Sequence, residues 1–344
     1  MNRLASRRSA LLVALLVGVL VTACVPVRPA PPTAPRALHF MAGYKPQANL
    51  PFVGVYLAEA RGYFAEEGLV VQITHATGGG EHLKLLLQGA VDVSTATSDV
   101  VLARRADGLP VVAFAVLGQR HDRAYAVLES SPIRSPKDWE GRIVGFKVQP
   151  TPDYLALLAA AGVDRARVQE VPVGFDPRLL AAGRVDVYPV FESNEPDTLA
   201  RLGVPVRLFR PDDHGVAGLG LTYLTRQDLL DKDPVLLERF LRATLRGIED
   251  ARADPEAATD VVMRFAPDED RAHQRAMLRV ELDMADGPVT RERGLGAATR
   301  EQWQAAHDSL LQFGGLSVPV DVGTVYTDRI VNAVHAAVGQ TRGP

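Results

Sequence analysis

The sequence has almost no cysteine: Cys24 is the only one among 344 residues. A single thiol excludes an internal disulfide, a dithiol redox couple and a zinc site built from cysteines. The eight histidines show no His-Glu-x-x-His or His-x-His spacing, and Gly-x-Ser-x-Gly and Gly-x-x-x-x-Gly-Lys motifs are missing. The sequence therefore predicts no metal site and no bound cofactor, and it offers no catalytic motif.

Long apolar runs and clustered basic charge are also scarce. The one long apolar stretch, residues 10–22, is too short for a membrane-spanning helix of about 20 residues. Formal net charge is −3 and no basic cluster stands out, so nucleic acid is not expected as a partner. With 47% hydrophobic and 23% charged residues, the rest of the chain has an ordinary globular composition.

The start of the chain has the pattern of an export signal. Arginines precede the apolar stretch, and two small residues stand directly before Cys24. This arrangement resembles a bacterial lipobox, in which the thiol is acylated and the chain is cut before it. We expect residues 1–23 to be a lipoprotein signal peptide, residues 24–36 a proline-rich tether, and the protein to be lipid-anchored on the outer face of the cell membrane. The alternative is an ordinary signal peptide with Cys24 near its cleavage site.

Short apolar runs alternate with helical patterns after the tether. The first of them are β-like, helical, β-like, helical, β-like and helical at 38–41, 53–61, 69–73, 81–88, 91–94 and 98–105. The segment 87–93 is echoed by 181–187, each with a glycine that ends a helix in a positive-φ conformation and an aspartate three residues later. The alternation predicts an α/β fold, the echo predicts two similar lobes, and ligands on such sheets bind beyond the carboxyl ends of the strands.

Four segments carry a resemblance to a known family: 44–52, 58–68, Gly78-Gly79-Gly80 and 135–145. They look like the substrate-binding proteins of ABC importers, in the branch that includes yeast thiamine-pyrimidine synthases and binding proteins for thiamine-precursor pyrimidines, riboflavin and alkanesulfonates. The resemblance implies a two-lobe type II periplasmic-binding-protein fold with the ligand cleft between the lobes. It divides the chain into lobe 1 (37–127), lobe 2 (128–224) and a return to lobe 1 with C-terminal helices (225–335). Closure about the hinge would signal to a membrane permease.

The loops after the predicted strands supply the candidate ligand contacts. Aromatic faces, amides and carboxylates suit a flat heterocycle, and the backbone of a glycine loop can hold an oxygen. Residues 44, 97 and 151 also have purely structural alternatives, as a packing residue and as helix caps. The candidates are Tyr44, Asn49, Gly79 and Thr97 in the first lobe, and Gln149, Thr151, Tyr154, Tyr188, Phe191, Glu192, Asn194 and Glu195 in the second.

These residues predict an acidic, aromatic cleft in which Lys45 and Arg120 are the main basic exceptions. Such a cleft favours a neutral heteroaromatic ligand, such as riboflavin or a formylaminopyrimidine-type thiamine precursor. The stretch 191–199 looks most like the riboflavin-binding members of the family, so riboflavin is preferred and the thiamine precursor is the alternative. An alkanesulfonate, an exported enzyme on the same fold and a sensor domain for a membrane kinase stay open. The yeast synthases carry a cysteine-rich motif that this chain lacks, so we expect a binding protein with a small-molecule ligand and a permease as partners.

Overall fold

Strands of four to seven residues form two mixed sheets in the computed structural model, which describes residues 34–341. The predicted signal peptide, Cys24 and nearly all of the tether lie outside the described residues. Among the described residues, no helix is long and apolar enough to cross a membrane. The strands are β1 Arg36–Ala42, β2 Leu69–His75, β3 Val93–Ala96, β4 Val111–Val116, β5 Arg123–Leu128, β6 Ile143–Phe146, β7 Gln169–Pro172, β8 Tyr188–Phe191, β9 Val206–Phe209 and β10 Thr222–Arg226.

Helices cover the sheets and make up most of the C-terminal third. Several begin at an aspartate or threonine whose side chain accepts a hydrogen bond from the first helical turn, as Asp233 does from the Leu236 backbone. The helices are α1 Leu50–Ala60, α2 Tyr63–Glu66, α3 Glu81–Leu87, α4 Ser98–Ala106, α5 Pro152–Ala160, α6 Arg178–Ala181, α7 Glu195–Arg201, α8 Gln227–Lys232, α9 Pro234–Ala253, α10 Pro255–Phe265, α11 Arg271–Ala285, α12 Pro288–Arg293, α13 Arg300–Gln312, α14 Val322–Val325 and α15 Arg329–Thr341.

The two sheets have the same strand order. The first sheet is β2-β1-β3-β10-β4, with β1 parallel to β2 and β3 and with β10 antiparallel to its neighbours. In the second, a parallel bridge from Val144 to Val187 joins the β6-β7 pair to β8-β5-β9, which gives β7-β6-β8-β5-β9. The α/β fold is thereby confirmed. The strand at each predicted lobe boundary belongs to the other lobe. β5 lies at the end of predicted lobe 1 but pairs in the second sheet, and β10 begins before the predicted end of lobe 2 but pairs in the first.

The segments 87–93 and 181–187 have the same structural role in the two sheets. Gly89 and Gly183 have φ of 75° and 64°, as the sequence predicts. Asp92 accepts a hydrogen bond from the backbone N–H of His39 at 2.9 Å, and Asp186 accepts one from Ile143 at 2.9 Å. Both aspartates stand just before their strand rather than within it. Each therefore ties the central strand of its sheet to the next one, which is a structural role.

The chain passes between the sheets twice, through residues 117–122 and 210–221. The two segments touch where the Gly220 backbone N–H donates to the Gly118 carbonyl at 2.9 Å. A Cβ on Gly118 would lie 2.9 Å from the Gly220 Cα, so only glycine fits this approach. The buried carboxyl of Asp122 lies beside this crossing, and burial raises its pKa to about 7. These paired segments form the hinge between the sheets.

Candidate ligand-binding site

A cavity of about 670 Å³ lies between the two sheets. Its walls come from the loops that follow β1, β2 and β3 in the first sheet and β6 and β7 in the second, together with α3, β5, β8 and the start of α5. This is the edge at which α/β folds bind ligands, because the carboxyl ends of the parallel strands meet there. Eight of the twelve candidate contacts line the cavity: Tyr44, Asn49, Gly79, Thr97, Gln149, Thr151, Tyr154 and Phe191. That they contact a ligand stays a prediction.

An aromatic pair joins the two sides of the cavity. The rings of Tyr44, after β1, and Phe175, after β7, lie with centroids 4.9 Å apart and planes inclined by 35°. Both rest on Gly78, where a Cβ would lie 2.8 Å from Phe175 and 2.9 Å from Tyr44. Burial and two nearby carboxylates raise the pKa of Tyr44 to about 12, so its hydroxyl stays neutral and available as a donor. We call Tyr44 and Phe175 the aromatic gate.

Two cations flank the ring of Phe191 on the second-sheet side. Strand order explains the cluster: β8 lies between β6 and β5, and Phe191 pairs directly with Arg123. The ammonium nitrogen of Lys147, which follows β6, lies 4.4 Å from the ring centroid, and the Arg123 guanidinium carbon lies 5.7 Å from it. Both distances are within the range of cation–π attraction. Neither cation was predicted as a site residue.

Arg123 is held by two buried carboxylates. Its guanidinium donates to Asp99 at 3.2 Å and to Asp153 at 2.5 Å. Burial alone would raise the pKa of Asp99, but Arg123 and the hydroxyl of Thr97 outweigh it and hold that pKa below its usual value. Because β5, α4 and α5 supply the three charged groups, this cluster joins elements from both sheets.

Lys147 pairs with Glu195, which was predicted to contact the ligand. The ammonium donates to one carboxylate oxygen of Glu195, and the other oxygen accepts from the Phe191 backbone N–H at 2.7 Å. Burial lowers the pKa of Lys147, and the Glu195 carboxylate opposes that effect. Glu195 is only 3% exposed and lies behind the cavity wall. It serves to neutralise and position Lys147, not to line the cleft.

Three further candidates from the same segment also lie off the cavity. Tyr188 is buried in the second-sheet core, where its hydroxyl donates to the Gly174 carbonyl at 3.1 Å. The Glu192 carboxylate accepts from Arg120 at 3.2 Å and from Arg210 at 2.9 Å, and Asn194 bonds His273 of α11 at 3.0 Å. The prediction that residues 188–195 present their polar groups to the cleft is wrong for these side chains, because a backbone carbonyl, two arginines and a histidine elsewhere in the chain bind them.

The charge of the cleft also differs from the expectation. Among the described residues, no aspartate or glutamate lines the cavity, whereas Lys84, Arg104, Arg123 and Lys147 do. Lys45, one of the two predicted basic exceptions, pairs with Glu269 away from the cavity. The predicted acidic cleft is therefore wrong: its walls offer aromatic rings, hydroxyls, amides and N–H donors, and the carboxylates stand behind them.

The hydrogen bonds of Thr97, Thr151 and Asn49 show what these predicted contacts do in the structure, and they bear on the helix-cap role considered for the two threonines. Neither Thr97 nor Thr151 makes a side-chain cap bond, although each precedes a helix. Thr97 instead donates to Asp99 at 2.5 Å. The Asn49 amide donates to Glu281 at 2.9 Å, a carboxylate that also accepts from Ser193 at 2.7 Å. Asn49 thus borders the cavity, and the Glu281 carboxylate of α11 links it to Ser193 on the second-sheet side.

The cavity is also lined by residues that were not predicted as ligand contacts, and the sequence indicates only some of them. Lys147 and Phe175 directly follow β-like runs, so the rule that selected Gln149 applies to them as well. Arg123 begins a strand and gives no local sign that Asp99 and Asp153 surround it. His82 sits at the start of α3, lines the cavity and is buried, and that burial lowers its pKa to about 4, which leaves the imidazole neutral.

The two sheets have the same strand order, the chain passes between them twice, and a cavity lies between them. Together these features define a two-lobe periplasmic-binding-protein fold. The periplasmic aliphatic sulphonate binding protein SsuA of Escherichia coli superposes with a TM-score of 0.65 at 18% identity, over 84% of this chain and 91% of that one. The family described as NMT1/THI5 like matches residues 49–258. The chain belongs to this family.

Curated relatives cover nearly the whole chain. The riboflavin-binding protein RibY of Chloroflexus aurantiacus is 30% identical, over 92% of this chain and 96% of its own. The formylaminopyrimidine-binding protein of Halalkalibacterium halodurans is 29% identical, over 80% and 87%. The yeast 4-amino-5-hydroxymethyl-2-methylpyrimidine phosphate synthase THI11 is 23% identical, over 62% of this chain and 67% of its own. The predicted family is confirmed, and the first two of these relatives are binding proteins.

Proposed function

We propose that this protein captures riboflavin in the cavity between its lobes and hands it to the permease of an ABC importer. The observation that carries the proposal is an aromatic-lined cavity of about 670 Å³, in a chain whose near-full-length relative is a riboflavin-binding protein. A volume of this size falls within the range of about 300–1,000 Å³ that drug-sized ligands occupy. A three-ring flavin with its ribityl chain suits that volume, and the rings of Tyr44, Phe175 and Phe191 suit its faces.

A formylaminopyrimidine is the second candidate, because a relative that covers most of the chain binds one. A single pyrimidine ring would leave most of the cavity unfilled, which favours the flavin. A sulfonate is favoured less. Arg123 has Asp99 and Asp153 beside it and Lys147 has Glu195, so carboxylates outnumber cations in this cluster. An anionic group would therefore meet no net positive charge there.

Export, acylation of Cys24 and delivery to a permease are parts of the same proposal. They rest on the sequence pattern before residue 34 and on the hinge, which allows the two sheets to close on a ligand. We also propose that the protein binds its ligand without turning it over. Replacement of Cys24 by serine should abolish incorporation of radiolabelled palmitate in a bacterial host and release the protein from the membrane fraction. Labelling that persists in the serine variant would contradict the anchor.

Titration of riboflavin tests the ligand. The full chain, purified in mild detergent, should quench flavin fluorescence on binding, with a dissociation constant below about 1 µM, which corresponds to about −8 kcal/mol. A parallel calorimetric titration with formylaminopyrimidine separates the second candidate. Unchanged flavin emission together with no heat of binding would reject riboflavin. Recovery of unmodified flavin from the complex checks that no turnover occurs.

A further inference from the structure

The cavity wall formed by Lys147 and Arg123 offers more hydrogen-bond donors than the protein satisfies. A lysine ammonium has three donors, and among the described residues only one acceptor, on Glu195, receives one from Lys147. Arg123 has five N–H donors, and its terminal nitrogens reach Asp99, Asp153 and Thr97. Both side chains are mostly buried, at 12% and 11% exposure, and both line the cavity.

The remaining N–H donors of Lys147 and Arg123 face the cavity. The carboxylates that neutralise the two cations lie behind the wall, and in the described part of the chain no aspartate or glutamate faces the cavity. Lys147 and Arg123 themselves do line it. Because buried donors are almost always paired, a ligand that carries acceptor atoms on this side fits these N–H groups.

Lys147 and Arg123 also lie beside the same part of the cavity wall. Both lie over the ring of Phe191, at 4.4 and 5.7 Å from its centroid, and Lys147 lies 5.5 Å from the centroid of Phe175. A flat ligand in the cavity beside these rings can therefore reach both cations with one edge. Since the neighbouring carboxylates balance the charge, the edge that fits is neutral and rich in carbonyl oxygens rather than anionic.

On the basis of the proposed function, we infer that Lys147 and Arg123 form the subsite that reads the dioxopyrimidine edge of the flavin, with their N–H groups donating to its carbonyl oxygens. An aminopyrimidine turns amino donors and fewer acceptors toward the same wall, and donor would face donor. Lys147 is thus a specificity-determining residue, and Glu195 is the residue that positions it.

The test removes the ammonium without leaving an unpaired buried carboxylate, in the double variant Lys147→Met with Glu195→Gln in the full chain. Its riboflavin dissociation constant should rise at least tenfold, since hydrogen bonds to charged groups are among the stronger ones. Lys147→Arg should keep more of the affinity. The matched control is Lys232→Met, on an exposed lysine of α8, which should bind riboflavin like the unaltered chain. Circular dichroism verifies that every variant is folded.

A second measurement detects the donors themselves. Loss of the flavin N3 proton places negative charge on the two carbonyl oxygens, so a hydrogen bond donated to them by the Lys147 ammonium favours the deprotonated flavin. The absorption spectrum of the bound flavin against pH should therefore show loss of this proton at lower pH in the unaltered chain than in the double variant. If the unaltered chain binds riboflavin, and the double variant keeps the affinity and loses the N3 proton at the same pH, the subsite assignment is wrong and the proposed function stands. If the unaltered chain does not bind riboflavin, the proposed function fails and this assignment falls with it.

Discussion

Asp92 holds β1 in the first sheet through the same backbone contact, at the same 2.9 Å, by which Asp186 holds β6 in the second. The loops at the carboxyl ends of those sheets share no such correspondence. The first-sheet side contributes Tyr44, the glycine loop 78–80 and Thr97, whereas the second contributes Phe175 and Phe191 with Lys147 over both rings. The repeated contact therefore maintains the scaffold, and we expect the chemistry that selects a ligand to lie where the two halves differ. The following predictions test this division, from the largest expected effect to the smallest.

Replacement of Arg123 by methionine should cause the largest loss, because it leaves Asp99 and Asp153 buried without a cation. Breaking a buried ion pair from one side costs about 3–5 kcal/mol of unfolding free energy. Urea denaturation at pH 7 measures the loss. Arg178→Met is the control, since that side chain is 73% exposed on the same lobe. A loss below about 1 kcal/mol would mean that Arg123 serves the ligand alone and does not support the fold.

Asp122, at the hinge, should make stability fall as pH rises. Its pKa of about 7 lies above that of an unfolded aspartate, mainly because of burial, so the folded protein keeps a proton that the unfolded chain has already released. The contribution of this group is full below about pH 4 and is lost as pH rises toward 7, on the order of 2–4 kcal/mol.

Asp122→Asn should remove this dependence and stabilise the protein above pH 7. Urea denaturation between pH 4 and 8 provides the measurement, and Asp268→Asn, at an exposed carboxylate, is the control. Parallel stability curves for the parent and Asp122→Asn would show that the hinge carboxyl is charged at every pH in that range.

The repeated aspartates should behave alike. Asp92→Ala and Asp186→Ala leave a backbone N–H of β1 and of β6, respectively, without its acceptor, which costs about 1–3 kcal/mol. Asn at either position keeps an acceptor and should lose less. Thermal denaturation of the four variants measures the effect, and riboflavin affinity at a temperature where all are folded should stay unchanged. Losses that differ by more than about 2 kcal/mol between the two lobes would contradict their equivalence.

Local patterns predicted the scaffold well because its rules are local. The helical pattern at 81–88 corresponds to α3 Glu81–Leu87, and the pattern at 98–105 corresponds to α4 Ser98–Ala106. Gly89 and Gly183 show the predicted positive φ because helix ends of this kind favour glycine wherever they occur. The cavity edge also follows from strand periodicity, which is why most of the chosen loop residues line it.

The polarity of the site was not predictable in the same way. A carboxylate such as Glu195, placed after a strand, can face the cleft or pair with a cation behind it, and the choice depends on Lys147, which is 48 residues distant. Arg123 likewise depends on Asp99 and Asp153, to which nothing nearby in the sequence points. Charge pairs between distant elements therefore place the carboxylates behind the cavity wall instead of on it, although most of the predicted positions on its edge were right.

The aromatic gate provides the last and smallest test. Gly78→Ala adds a Cβ at 2.8 Å from Phe175 and 2.9 Å from Tyr44, at a φ of +101°. Gly80→Ala is the matched control, because this neighbour has a φ of +83° but nothing within 4 Å of the added Cβ. Both variants bear the strain of positive φ, about 1–2 kcal/mol, whereas only Gly78→Ala displaces the gate. We expect Gly78→Ala to weaken riboflavin binding by about fivefold to tenfold, mainly through faster dissociation in stopped-flow fluorescence, since a displaced gate holds the ligand less well. Equal dissociation rates in the two variants would show that the contact of Tyr44 with Phe175 does not retain the ligand. The glycine loop 78–80 would then contribute to the site only through its backbone groups.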